Sequence, residues 1–193
     1  RIFRKHKTFG LNHVRFHSWC PPKAAFEAAD EVGVYLQPEV DVWSWIHTQK
    51  QRDFLMEESK LMLEKYGNHP SFILMGLGNE VGCKEEIMRD LIIEWKKDPR
   101  CIYTGLANSN NTIIDEYDYT IAREINSMRT RFQRGWPPKP DGNWLQTKEP
   151  NTTADFSEPV QSYDKPLISH ENGQRCTYPR LDQKDKYTGS FSA

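Results

Sequence analysis

The stretch that decides the fold is NHPSFILMGLGNE, residues 68–80, an apolar run that climbs through a glycine and an asparagine to a carboxylate, Glu80. A continuous apolar run bounded by turn residues, without polar alternation, reads as a strand buried on both faces. Such strands belong to parallel sheets covered by helices. A charge at the end of such a strand needs a reason, because parallel α/β folds gather their reactive groups at the C-terminal ends of strands.

Outward from this strand the chain alternates. HVRFH (13–17) predicts a short strand, PPKAAFEAADEVG a helix with Pro near its start and Gly33 past its end, and VYLQPEV (34–40) the next strand. From about Gln49 to Tyr66, the apolar residues Phe54, Leu55, Met62 and Leu63 lie among charges at the spacing of an amphipathic helix. After Glu80, KEEIMRDLIIEWKK predicts a helix stopped by Asp-Pro, and CIYTGLA, YDYTI and KPLISHENG predict further strands. Residues 123–165 form a long polar segment, which would shape a cleft if it sits beside the strand ends.

This pattern fits a (β/α) barrel or a doubly wound sheet, and no glycine-rich phosphate loop follows any strand. About six strands and three or four helices are fewer than a complete eight-stranded barrel of about 250 residues contains. The expected fold class is therefore α/β, with the chain forming part of a barrel. Open strand edges and an exposed interior predict association with other domains of a parent chain or with a second copy.

Composition narrows the partners. The 193 residues carry a formal net charge of −1, 37% hydrophobic and 27% charged residues. That balance is ordinary for a globular protein and gives no electrostatic footprint for nucleic acid or an anionic membrane. The longest apolar stretch, SFILMGLG, is far short of the roughly 18 residues that span a bilayer. Cys20, Cys83, Cys101 and Cys176 form no CxxC pair, so free thiols are expected rather than a zinc site or disulfide framework.

Three strands end on glutamates: Glu39 closes VYLQPE, Glu80 closes FILMGLGNE and Glu171 closes PLISHE. Two carboxylates converging on one site can divide acid and base labour, because burial and mutual repulsion push one pKa up and leave the other group ionised. His13, Arg15 and His17 fall on one face of their strand and Val14 and Phe16 on the other, as in a strand lining a polar cavity. Trp43, Trp45, Trp136 and Trp144 offer flat apolar surfaces for sugar rings, and Arg123, Arg129, Arg131 and Arg134 suit an anionic sugar or a solvated loop. His13, His17 and His170 raise the alternative of a metal-dependent barrel hydrolase, and a non-catalytic carbohydrate-binding barrel is another.

Taken together, the motifs resemble the catalytic barrel of glycoside hydrolase family 2, which contains β-galactosidases, β-glucuronidases and β-mannosidases. GLNHVRFHSWCPP is similar to the family's second-strand segment, and FEAADEVGVYLQPE to the helix and strand that follow. NHPSFILMGLGNE resembles the fourth-strand signature, and KPLISHENG the seventh-strand segment, with Asn172 where the family usually has an aromatic residue. The resemblance implies Glu80 as general acid/base, Glu171 as nucleophile and Asn79 as a donor to the sugar hydroxyl beside the anomeric carbon. Arg15, His17, Glu39, His170 and Trp43 are implied as substrate-binding residues, the partner as a β-glycoside or oligosaccharide, and the reaction as one needing no metal or cofactor. It further implies that residues 1–193 are part of a catalytic (β/α)8 TIM barrel, incomplete and covering about strands 2 to 7, and that flanking β-sandwich domains are present in a parent chain. The sequence style also resembles polysaccharide-degrading enzymes, which implies a periplasmic or extracellular setting.

Overall fold

A computed structural model of the chain describes residues 1–107, 114–122, 161, 164–169 and 186. The elements run α1 (Ile2–Thr8), β1 (His13–Arg15), α2 (Lys23–Val32), β2 (Tyr35–Gln37), α3 (Gln49–Tyr66), β3 (Leu74–Asn79), α4 (Glu85–Trp95), β4 (Ile102–Ala107), β5 (Thr120–Ala122) and β6 (Leu167–Ser169). Strand and helix alternate from β1 to β4, as the periodicity predicts.

Each helix has a local cause. Thr48 opens α3 with a capping box: its side chain accepts the Gln51 N–H, and the Gln51 side chain accepts the Thr48 N–H. In α4, Glu85 and Glu86 place negative charge in the first turn, where the helix dipole favours it. Its apolar face of Ile87, Met88, Leu91, Ile92 and Trp95 is buried. Trp95 also donates its indole N–H to Ser59 of α3 at 2.7 Å, which pins the two helices.

All strand pairings among the described residues are parallel. β1 pairs with β2, β3 with β4 and β5 with β6. β2 continues onto β3 through the bridges Leu36 to Phe72 and Glu39 to Gly76. β4 meets β5 where the Asp118 N–H donates to the Tyr103 carbonyl and the Thr104 hydroxyl to the Tyr119 carbonyl. Neighbours in space are thus neighbours in sequence, the order in which a barrel is laid down, although the sheet does not close among the described residues.

The core explains the apolar run at 74–79. Met75 and Leu77 pack with helix residues such as Phe26, Leu91 and Ile92, while Leu74 packs with Tyr119 and Ile121 on the other side. Every residue of β3 is buried, so neither face tolerates polar alternation.

Two features depart from the sequence expectation. Helix α1 has no apolar periodicity to announce it; none of its residues is buried, and it is held by an Arg4–Glu31 ion pair and by Lys7 donating to the Gly33 carbonyl. Strand β1 ends at Arg15 instead of running to residue 17, because the chain turns through Ser18 at φ 53°. His17 therefore lies beyond the strand and does not share a strand face with Arg15.

Candidate active site

Glu80 leaves β3 at its C-terminal end with φ 49°, a left-handed conformation uncommon for a residue with a side chain, and it is exposed. Its N–H donates to the Ala107 carbonyl at 2.9 Å, so the neighbouring strand fixes the turn that aims the carboxylate. Asn79, one residue earlier, is fully buried.

Beneath them lies a connected polar group. Arg15 Nε donates to Glu39 Oε1 at 2.5 Å, and Arg15 Nη2 donates to Asn79 Oδ1 at 2.8 Å. The other carboxylate oxygen, Glu39 Oε2, accepts the Ser18 N–H at 2.7 Å. The left-handed turn at Ser18 directs that N–H inward. Glu39 is 0% exposed, so its charge is tolerable only because both oxygens are occupied and a guanidinium stands beside it. Gly76 makes room: a methyl there would stand 3.4 Å from the side chains of both Gln37 and Glu39.

Two ionisable neighbours are tuned by the same surroundings. Burial, and then the adjacent Arg15 charge, lower the His13 pKa, so this imidazole stays neutral more readily than a free one. Burial, and then the Glu39 carboxylate, push the Tyr119 hydroxyl well above its ordinary value, keeping it a neutral donor whose hydroxyl faces the Met75 carbonyl at 3.4 Å. Burial chiefly pushes the Cys20, Cys83 and Cys101 thiols up to about 12, and none is poised as a nucleophile. Among the described residues no three His, Cys, Asp or Glu side chains gather as a metal site.

Of the residues singled out from sequence, Arg15, Glu39 and Asn79 form one bonded group, with Glu80 next in the chain. His17 is exposed and packs on Trp43, ring centroids 5.1 Å apart. Glu171, His170, Asn172, Trp136, Trp144, Arg123, Arg129, Arg131 and Arg134 lie outside the described residues. Ser18 and Tyr119 were not anticipated. Tyr119 carries a usable signal, an aromatic hydroxyl on a strand, whereas the role of Ser18 comes from its backbone N–H and has no side-chain signature.

No family model and no curated protein matches the chain. Solved structures do share its fold. A β-D-glucuronidase of Dictyoglomus thermophilum superposes with a TM-score of 0.54 at 19% identity, over 62% of this chain and 24% of that one. A β-glycosidase from Bacteroides vulgatus gives 0.51 at 21%, over 62% and 16%. An FMN-binding β-glucuronidase from Facaelibacterium prausnitzii L2-6 gives 0.50 at 22%, over 64% and 18%. The class that fold and site define is thus an α/β protein with its polar group at parallel strand ends. More particularly, the chain has the fold of part of these glycosidases and spans at most about a quarter of their length.

Proposed function

We propose that the chain is the catalytic segment of a retaining glycoside hydrolase of family 2 that cleaves terminal β-glycosidic bonds. In this reading it contributes about strands 2 to 7 of a (β/α)8 barrel, within a parent protein that also carries β-sandwich domains. The observation that carries the proposal is Glu80: an exposed carboxylate in a constrained turn, at the end of a wholly buried parallel strand, directly after an asparagine bonded to a buried Arg–Glu pair. The fold shared with β-glucuronidases supports it.

The chemistry follows from two carboxylates. Glu171 attacks the anomeric carbon while protonated Glu80 gives its proton to the departing oxygen, leaving a glycosyl ester on Glu171. Glu80, now ionised, takes a proton from water, which attacks the same carbon from the opposite side of the ester. The sugar leaves with retained configuration and Glu80 is protonated again. Asn79 meets the hydroxyl beside the anomeric carbon, held in place by Arg15, whose orientation Glu39 fixes. His17, Trp43 and His170 complete the substrate-binding set.

The test uses the full-length protein with a panel of aryl β-glycosides. Proton NMR of the first-formed sugar is expected to show the β-anomer. Glu171→Gly with added azide is expected to release an α-glycosyl azide, and Glu80→Ala with azide a β-glycosyl azide. An initial α-anomer, or wild-type turnover by Glu171→Gln, sinks the reading. Sugar binding without any hydrolysis points instead to a non-catalytic carbohydrate-binding barrel.

A further inference from the structure

The chain after β2 leaves two large indoles in solvent, Trp43 at 63% and Trp45 at 65% exposed, between the buried Val42 and Ile46. Adjacent exposed aromatics of this size mark a binding surface more often than chance. Their backbone is held on several sides. The Ile46 N–H donates to the Gly82 carbonyl at 2.8 Å, the Lys84 N–H to the Ile46 carbonyl at 2.9 Å, and the Gln51 side-chain amide to the Trp45 carbonyl at 2.8 Å. The Trp45 ring rests on Gly82, where a methyl group would stand only 2.9 Å from Cδ1 and 3.0 Å from Nε1. A glycine is what lets the indole lie there. Trp43 packs against His17 with 35° between the rings. The backbone that carries the indoles is thus held in place, and Gly82 lies two residues past Glu80.

We propose that Trp45 is the platform for the leaving-group sugar, and that the preferred substrate is a β-linked disaccharide or longer oligosaccharide rather than a glycoside of a small alcohol. The inference rests on the reading of Glu80 as proton donor. A proton donor stands at the glycosidic oxygen, between the departing group and the sugar under attack. Asn79 and Glu39 are fully buried and the Arg15 side chain nearly so, whereas Trp45, seated on Gly82, is mostly in solvent, so the sugar that meets Asn79 is the inner ring and the one that meets Trp45 the outer. The outer ring of a terminal glycoside is the leaving sugar, and an exposed indole offers the flat apolar face that the C–H side of a pyranose requires.

The experiment compares, in the full-length protein, kcat/KM for a β-linked disaccharide with that for the methyl β-glycoside of the same sugar, across glucuronide, galactoside, glucoside and mannoside. Both substrates need a proton on an alkyl oxygen, and only one has a second ring. Trp45→Ala is expected to lower the disaccharide-to-methyl ratio about tenfold, and a fall of less than about threefold overturns the proposal. Gly82→Ala, which pushes the ring aside while keeping the indole, is expected to lower the same ratio. A fall seen with a phenyl β-glycoside and not with the disaccharide overturns the assignment of a sugar. Calorimetric titration with a thio-linked disaccharide and a methyl thioglycoside reads the same ratio as affinities, without turnover. A protein that hydrolyses nothing yet shows a Trp45-dependent affinity ratio sinks the proton-donor reading and retains second-ring binding. A hydrolase whose ratios ignore Trp45 sinks the platform alone.

Discussion

Glu39 grips Arg15 from a position with no solvent exposure: one carboxylate oxygen accepts the guanidinium Nε–H and the other accepts the Ser18 N–H. Arg15 then presents Nη2 to Asn79. Glu39 thus acts on Asn79 through a guanidinium and is a positioning residue. Replacing it by Gln keeps the shape and removes the charge that balances a largely buried arginine. Breaking one side of such a pair costs roughly 3 kcal/mol, and a loosened Asn79 is expected to lower kcat/KM by about 10²-fold. Thermal melts and steady-state kinetics of Glu39→Gln on an aryl β-glycoside check both effects. Wild-type kcat/KM in that variant removes the network from the site.

Glu80 occupies a backbone conformation that disfavours side chains, at φ 49°. Glycine takes this conformation freely, while its extra entropy in the unfolded chain offsets part of the gain. Glu80→Gly is therefore expected to raise stability by about 0.5–1 kcal/mol. In the same variant hydrolysis of a methyl β-glycoside, which depends on proton donation, is expected to fall by about 10³-fold or more. Opposite signs in stability and activity mark strain retained for function. A melting temperature lowered together with activity contradicts this account.

Much of this was legible in the sequence because buried parallel strands and amphipathic helices have strong signatures. The amphipathic pattern from Gln49 to Tyr66 gives the bounds of α3, and the apolar run at 71–80 contains β3, which starts three residues later at Leu74. Arg15, Glu39 and Asn79 were each legible as candidates, but their mutual bonding was not, since it depends on the register that sets Arg15 opposite Gln37 and on the space left at Gly76. Helix α1 was illegible for a different reason. None of its residues is fully buried and only Phe3 packs partly on the core, so no hydrophobic period records it, and the contacts that hold it are otherwise polar. The placement of His17 was misread because the turn at Ser18 has no composition cue: serine in a left-handed conformation looks like any serine.

A buried polar contact links α3 and α4 within their apolar interface. The Trp95 indole N–H donates to the Ser59 hydroxyl, which donates onward to the Met56 carbonyl at 3.0 Å, and Ser59 is 0% exposed. Ser59→Ala strands the indole N–H in an apolar layer and is expected to cost about 1–3 kcal/mol. The double variant Ser59→Ala with Trp95→Phe removes both partners, and its loss should be smaller than the sum of the single losses. A double-variant cycle by denaturant unfolding measures this, and strict additivity shows that the contact contributes nothing of its own.

Asp30 sits at the opposite, N-terminal side of the sheet, where it accepts the Ser71 N–H at 2.9 Å and pairs with His69 at 2.6 Å. Burial alone raises its pKa, but hydrogen bonds from Ser71 and His69 outweigh that and hold the carboxyl below its ordinary value. The unfolded chain, with an aspartate near about 3.9, then binds the proton more readily than the folded one. The stabilisation is therefore fully present above about pH 4 to 5 and is lost as pH falls through the lower folded value. Asp30→Asn cannot take part in this change. The difference in melting temperature between wild type and Asp30→Asn is expected to shrink steadily as pH falls below about 4. Melts of the two full-length proteins across that range provide the measurement, and a difference that stays constant, or grows, as acid is added shows that the ionised carboxylate does not hold Ser71 and His69 in place.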